Sequence, residues 1–266
     1  MSILTPVQPT VWETKAPQDL SAKSLEQLFN NEIPLIRIGD LATEAECSKL
    51  IEEANRNGFS SYQDVSPRID RIGITVFEYD KVNKLGYFEA VNQATAVQDR
   101  ITEASFHPRK RLMMLMRDFT DKVVRVASEE PYGNYYAGLI RRIERGTLNH
   151  IDFAPAEQPG WEVSTVVSQL SWNLYLRVSP PDQGKTTIYN RQWQPEDEHY
   201  KIEGTYGYTQ SVIEGTESVV FQPSVGDLYI FNTRNFHIVD GMQKGERVTF
   251  TSAIGLLPSN EIVFWS

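Results

Sequence analysis

His150 and Asp152 stand two residues apart in NHIDFAP, and on a β-strand that spacing puts both side chains on one face. Two donors to a metal ion then come from a single strand. His237, in IFNTRNFHIVDG, offers a second imidazole far along the chain. Two imidazoles and one carboxylate on one side of an ion leave its other positions open, an arrangement suited to non-heme Fe(II) that must also receive a cosubstrate and O2. Zinc favours closed tetrahedral sites or other donor mixtures. A His-x-Asp triplet by itself also fits an ordinary surface polar pair, so its meaning depends on His237 and on an arginine further on. Arg247 follows ten residues after His237, in GERVTFTSAIG, where Arg247, Thr249 and Thr251 share one face of a strand and Val248 and Phe250 the other. A guanidinium beside a hydroxyl suits a charge-assisted grip on a carboxylate.

These residues need strands to position them, and the second half of the chain supplies the pattern. Strand-like runs cover Tyr135 to Glu144, the region of His150, Val166 to Val178, Lys185 to Tyr189, Glu217 to Gln222, Asp227 to Asn232 and Glu246 to Leu256, with turn signals between them. In VSQLSWNLYLRV, Leu170, Trp172, Leu174, Leu176 and Val178 alternate with Gln169, Ser171, Asn173, Tyr175 and Arg177. The polar set faces either solvent or the inside of a barrel. Residues 193–216, rich in acidic residues and tyrosines, exceed the usual connection between strands and suggest a lid or a substrate-contacting loop.

The first half reads differently. Pro6, Pro9 and Pro17 suggest an extended or loosely ordered arm, followed by an amphipathic segment from Ser24 to Phe29 and an apolar strand from Ile33 to Ile38. Thr43 and Glu46 form a capping box for a helix carrying Cys47, Leu50, Ile51 and Ala54 on one face and ending at Asn57-Gly58. Arg71 to Tyr79 has strand composition, and helices are expected over Lys84 to Ala104 and Pro108 to Glu129. The expected architecture is α+β: a single domain over 1–266, with 1–130 as mainly helical support and 131–266 as a barrel or sandwich.

Composition narrows the function. The formal charge of −9 over 266 residues argues against phosphate backbones and anionic membrane surfaces as partners. Cys47 is the one cysteine, so an intramolecular disulfide and a thiolate metal cluster are excluded. It reads as a buried helix residue. No secretory leader and no long apolar span are legible, which suits a cytoplasmic protein acting on a small molecule. The oligomeric state is not legible.

Taken together, H-x-D, the DQGKTTIY strand pair, Gly226-Asp227 before a strand, His237 and then Arg247 resemble the Fe(II)/2-oxoglutarate-dependent dioxygenases. The likeness spans about Tyr135 to Leu257, and HIDFAP, SQLSWNLYL and HYKIEGTYGY resemble the branch of free-amino-acid hydroxylases and radical halogenases. The resemblance implies a double-stranded β-helix (jelly-roll, cupin-like) with supporting helices. It further implies Fe(II) on His150, Asp152 and His237, and 2-oxoglutarate on Arg247, with Thr249 as a second contact. Decarboxylation to succinate would then accompany oxidation by O2 of an unactivated C–H bond, in a free amino acid or related metabolite. Halogenases of that branch carry a small residue where Asp152 stands, so hydroxylation, or else desaturation or ring closure, is expected here.

For the substrate, Phe153, Arg142 and Trp265 are the candidates, with Arg141, Asn149 and Arg71 as further groups able to meet a carboxylate and Glu196 to Glu198 able to meet a cation. His107 and His199 read as structural or exposed. Two other readings stay open: a cupin-like metal enzyme that needs no Arg247, and a β-sandwich used for binding.

Overall fold

The computed structural model describes residues 7, 9–79 and 81–266. Its α-helices are α1 (Ala22–Phe29), α2 (Glu44–Asn57), α3 (Lys84–Glu103), α4 (Pro108–Phe119) and α5 (Ala154–Glu157). The early strands are β1 (Leu35–Ile38), β2 (Ser60–Ser61), β3 (Asp70–Ile72), β4 (Val124–Val126), β5 (Ser128–Glu129), β6 (Gly133–Asn134) and β7 (Leu139–Arg142). The later ones are β8 (Ser168–Ser179), β9 (Thr186–Gln192), β10 (Ser218–Phe221), β11 (Leu228–Asn232), β12 (Asn235–Val239), β13 (Glu246–Leu256) and β14 (Ile262–Trp265).

A large sheet runs β1-β11-β8-β13-β7-β3-β2, with β14 pairing β13 and β4, and a smaller one runs β10-β9-β12. Helices cover one face of the large sheet: Leu28 of α1, Cys47 and Leu50 of α2, Ile101 of α3 and Leu112 of α4 join Leu170, Trp172, Leu174 and Phe250 in one apolar cluster. On the other face, Tyr175, Tyr229 and Phe231 of the large sheet meet Ile188, Val219 and Phe221 of the small one. A space between two sheets is thus available to side chains from both.

The helix signals act as the sequence suggests. Thr43 Oγ1 accepts the Glu46 N–H at 3.2 Å while Glu46 Oε2 accepts the Thr43 N–H at 2.8 Å, satisfying donors that a helix start leaves free. Cys47 is fully buried, and burial first of all pushes its thiol up to about 11.

Several expected boundaries are corrected. The helix begun at Pro108 stops at Phe119, because Val124 to Val126 pair in parallel with β14; their β-branched side chains suit either period, and the partner strand decides. The strand begun at Asp70 ends at Ile72. Gly73 there has φ 108, a Cβ on it would lie 2.6 Å from the Tyr136 hydroxyl, and a 3-10 turn follows at Val76–Glu78. Tyr135 to Gly138 precede β7 rather than belonging to it. Strands β12 and β14 were not among the expected elements. The proline-rich arm is anchored: Trp12 is buried with Leu35 and Tyr175, and Gln18 bridges to Ile36. Pro6 lies outside the described residues. The first 130 residues also contribute β1 to β5. Finally, a bulge at Leu176 opposite Val248/Thr249 turns Val178 inward beside Tyr175 and Arg177 outward onto Glu246, reversing the alternation expected at that end of β8.

Candidate active site

The two histidines are brought together by backbone pairing. His150 donates its N–H to the His237 carbonyl at 3.0 Å and accepts the His237 N–H at 2.9 Å, so both imidazoles leave the same side and their ring centroids lie 4.1 Å apart. Asp152, two residues on, donates its N–H to the Thr233 carbonyl at 2.9 Å, and its Oδ2 sits 3.7 Å from His237 Nε2. One donor atom from each of the three residues falls within 4.8 Å of the others.

The protonation states fit a cation. His150 Nδ1 lies 2.8 Å from the Leu148 carbonyl and His237 Nδ1 lies 2.9 Å from that of Asn235. Each contact requires a proton on Nδ1, which leaves the Nε2 lone pair free as a metal donor. Burial above all, with the field of His237, pushes His150 down to about 4, so it is neutral at pH 7. Burial works to raise the Asp152 carboxyl, but the adjoining His237 ring and the fields of His150 and Arg141 outweigh it and hold the group well below the usual carboxylate range. Two imidazoles and one carboxylate, turned toward a common space, could hold a divalent ion such as Fe(II).

Across from this cluster, Arg247, Thr249 and Thr251 point inward from β13, each at most 3% exposed. Arg247 Nη2 donates to Tyr175 Oη at 3.0 Å, and its guanidinium carbon lies 4.9 Å from the Tyr175 ring centre. Arg247 Nε and Thr249 Oγ1 are shielded from solvent and have no hydrogen-bond partner among the described residues. A buried guanidinium is costly without a partner, and this one pairs with no carboxylate among the described residues. A small dicarboxylate reaching from the cluster would complete it.

His150 and Asp152 line a cavity of about 650 Å³, whose wall also includes Trp193, Glu198, Tyr206 and Tyr208 from residues 193–216. That segment is pinned: Tyr206 Oη accepts the Leu148 N–H at 3.0 Å, and Glu198 Oε1 accepts from Trp193 Nε1 at 3.0 Å and Tyr208 Oη at 2.6 Å. Asp197 is buried against Arg191, so the acidic run is partly structural. The inner face of β8 contributes Gln169 and Ser171.

The candidates for substrate contact separate. Trp265 lines the cavity. Phe153 is buried behind it, packed near Trp193 with the Arg234 guanidinium 4.6 Å from its ring centre. Arg142 is directed outward: it donates to Asn55 Oδ1 at 2.7 Å and lies over the Phe59 ring, because its register partner Val248 faces the helices. Arg71 is paired with Glu78. Asn149 is buried outside the cavity wall. His107 is half-buried at the start of α4 and His199 packs on Tyr200, both apart from the cluster. The sequence alone gives no role to Glu157, Tyr175 or Tyr206; Tyr175 is detectable as an inward position of β8, while the inward turn of Arg141, one of the expected carboxylate contacts, needs the β7–β13 register.

Residues 16–266 match the family described as carrier-protein-independent halogenase WelO5. The leucinostatins biosynthesis cluster protein S of Purpureocillium lilacinum is 35% identical over 218 residues, 77% of this chain and 88% of that protein. The L-gamma-glutamyl-L-propargylglycine hydroxylase of Streptantibioticus cattleyicolor is 29% identical over 133 residues, 49% of this chain and 48% of that enzyme. Among solved structures, an N-substituted L-amino acid dioxygenase from Burkholderia ambifaria superposes with a TM-score of 0.62 at 15% identity, over 92% of this chain and 91% of that one. Among the described residues, no helix is long and apolar enough to cross a membrane.

Proposed function

The chain belongs to the WelO5 family and is an Fe(II)/2-oxoglutarate-dependent dioxygenase acting on an amino-acid-like small molecule; from that premise we propose that it hydroxylates an unactivated C–H bond. In this reading His150, Asp152 and His237 hold the iron, Arg247 and Thr249 hold the distal carboxylate of 2-oxoglutarate, and Trp265 closes on the substrate. We take residues 1–266 as one domain, with the two sheets forming a double-stranded β-helix and 193–216 serving as the lid.

Iron with its cosubstrate supplies the oxidising power, the balance being substrate C–H plus 2-oxoglutarate plus O2 giving the alcohol, succinate and CO2. The protein's residues supply position. Backbone pairing fixes both imidazoles, and their Nδ1–H contacts leave Nε2 as the atom that would hold the ion. Tyr175 orients Arg247 before the cosubstrate arrives.

The observation that carries the proposal is the inward-facing pair of the His–Asp–His cluster and Arg247, whose Nε has no acceptor and whose charge has no carboxylate partner among the described residues. Hydroxylation rather than halogenation is supported by Asp152, because its carboxylate takes the position where a halide would otherwise bind. A cupin-like enzyme would make no use of Arg247. The test is Fe(II)-dependent succinate release from 2-oxoglutarate, stimulated by members of a panel of amino acids and their derivatives, with products weighed. A product heavier by one oxygen atom is expected. A chloride-dependent chlorinated product would overturn hydroxylation, and loss of two hydrogens would identify a desaturase or cyclase instead.

A further inference from the structure

The two imidazoles of the cluster are held unequally. His237 lies on β12, paired on one side with Ile188 of β9 and bridged on the other to His150. His150 belongs to none of the strands and makes a single antiparallel bridge, to His237. On that same side Thr147 donates its N–H to the Val239 carbonyl at 3.0 Å. The other edge of the segment is covered by residues 206–208 of the long cavity-wall segment. Tyr206 Oη accepts the Leu148 N–H at 3.0 Å, and Tyr208 donates its N–H to the Asn149 carbonyl at 2.8 Å. Between them Gly207 is buried, and a Cβ on it would lie 2.6 Å from Leu148 Cβ and 2.7 Å from Leu148 Cδ1. A glycine is what lets the two segments come this close.

Leu148 is where this clamp meets the metal cluster. Its N–H is held by Tyr206, and its carbonyl, on the other side of the same α-carbon, lies 2.8 Å from His150 Nδ1. The Tyr206 ring also stands perpendicular to the His150 ring, with centres 5.4 Å apart. The rotation of the His150 imidazole is therefore set by a carbonyl whose residue is fixed by the Tyr206 hydroxyl, and by the ring that carries that hydroxyl. A backbone N–H stripped of its acceptor is costly, and Leu148 can recover one only by turning, which takes its carbonyl away from Nδ1. His237 is steered differently. Its Nδ1 contact, the Asn235 carbonyl, belongs to a residue whose side-chain amide donates to Asn31 Oδ1 at 2.6 Å, and both asparagines are buried. The scaffold thus orients His237, whereas the wall of the cavity orients His150.

Resting on the reading of the cluster as a metal site, we infer that Tyr206 is a positioning residue for His150, and that through its hydroxyl the affinity for the metal depends on residues 193–216 being seated against Leu148. Tyr206 itself lines the cavity, so a molecule bound there touches the side chain that sets one of the metal donors. Such coupling is reciprocal. Whatever seats the segment tightens the metal, and the metal steadies the segment. A residue serving only as cavity wall would need its ring and make no use of its hydroxyl.

Titration of the metal-free full chain with Co(II), followed by visible absorption, tests this without substrate or turnover. Tyr206→Phe keeps the ring and removes one oxygen atom. It should weaken Co(II) binding ~10-fold, the lower end of what losing a partner behind a histidine ligand costs, and shift the visible bands. Gly207→Ala leaves the hydroxyl in the chain but forces the segment off Leu148, and should weaken Co(II) by a similar factor. Tyr62→Phe is the comparison: Tyr62 also lines the cavity but packs on Phe77, with ring centres 5.1 Å apart. Its loss of a hydroxyl should leave both affinity and bands unaltered. A purely structural Tyr206 would lower the urea midpoint of the metal-free protein and leave Co(II) affinity as it was. That result, or equal weakening by Tyr62→Phe, would overturn the proposal. Should one of the Tyr206 and Gly207 variants not fold, the other, set against Tyr62→Phe, decides alone. If the unmutated protein binds no Co(II), the metal-site reading itself is overturned, and this proposal with it.

Discussion

Strand β13 divides two environments between its faces. Outward, Val248 and Phe250 are buried against the helix-covered cluster, and Phe250 stacks on Trp172 with ring centres 5.8 Å apart and planes inclined by 22°. Inward, Arg247 and Thr249 are as deeply buried, yet leave Nε and Oγ1 without partners. Equal burial has opposite meanings on the two sides. An apolar face gains from every contact it makes, whereas a polar face with unmet hydrogen bonds is costly to fold and repays that cost only when a ligand arrives. The outer face should therefore govern stability and the inner face binding.

The largest expected effect is on the outer side. Phe250→Ala removes a fully buried ring from a packed cluster and should destabilise the protein by about 3–5 kcal/mol, measured by urea unfolding. If Phe250→Ala leaves stability within about 1 kcal/mol, the division between faces is wrong.

Arg247→Met should do the reverse. The apparent KM for 2-oxoglutarate should rise ~100-fold, as expected when one partner of a buried charge pair is removed, while metal content stays unchanged. The unfolding midpoint should hold or rise, because a buried cation lacking a carboxylate partner is replaced by an apolar chain of similar length. A large loss of stability with unaltered KM would assign Arg247 to the scaffold and favour the cupin-like reading.

How much of this was legible in the sequence depended on whether the deciding contact was local. The spacings His150–Asp152 and Arg247–Thr249–Thr251 are period-2 facts, and the Thr43–Glu46 cap is a three-residue fact; each could be read without a partner strand. The question left open at β8, whether its polar face met solvent or an interior, is answered inward, since Gln169 and Ser171 line the cavity and Tyr175 meets Arg247. Which of Arg141 and Arg142 faces the cavity was not legible, because the parity of β7 is set by its pairing with Thr249 and Val248. The reversal of Arg177 and Val178 required the bulge, which exists only between two strands. Val124 to Val126 looked like the end of a helix until β14 supplied a parallel partner.

The smallest expected effect sharpens the comparison through pH. Glu46, on the helical layer that covers the outer face, accepts from Arg111 Nη2 at 2.7 Å as well as from the Thr43 N–H. Chiefly the Arg111 hydrogen bond, and then that of Thr43, lower it from its ordinary 4.5 to about 2. A carboxyl whose folded value is depressed adds stability above its unfolded value and loses it as pH falls through the folded one. Glu46→Gln should thus cost about 1 kcal/mol at pH 7, a figure reduced for its partial exposure. The gap to the unmutated protein should narrow as pH drops from about 4.5 toward about 2. Urea midpoints across that range measure it, and the KM for 2-oxoglutarate at pH 7 should be unaltered by a change confined to the outer layer. A gap that stays constant with pH would mean Glu46 acts through its shape in the cap alone, and an altered KM would mean the two faces of the sheet are coupled.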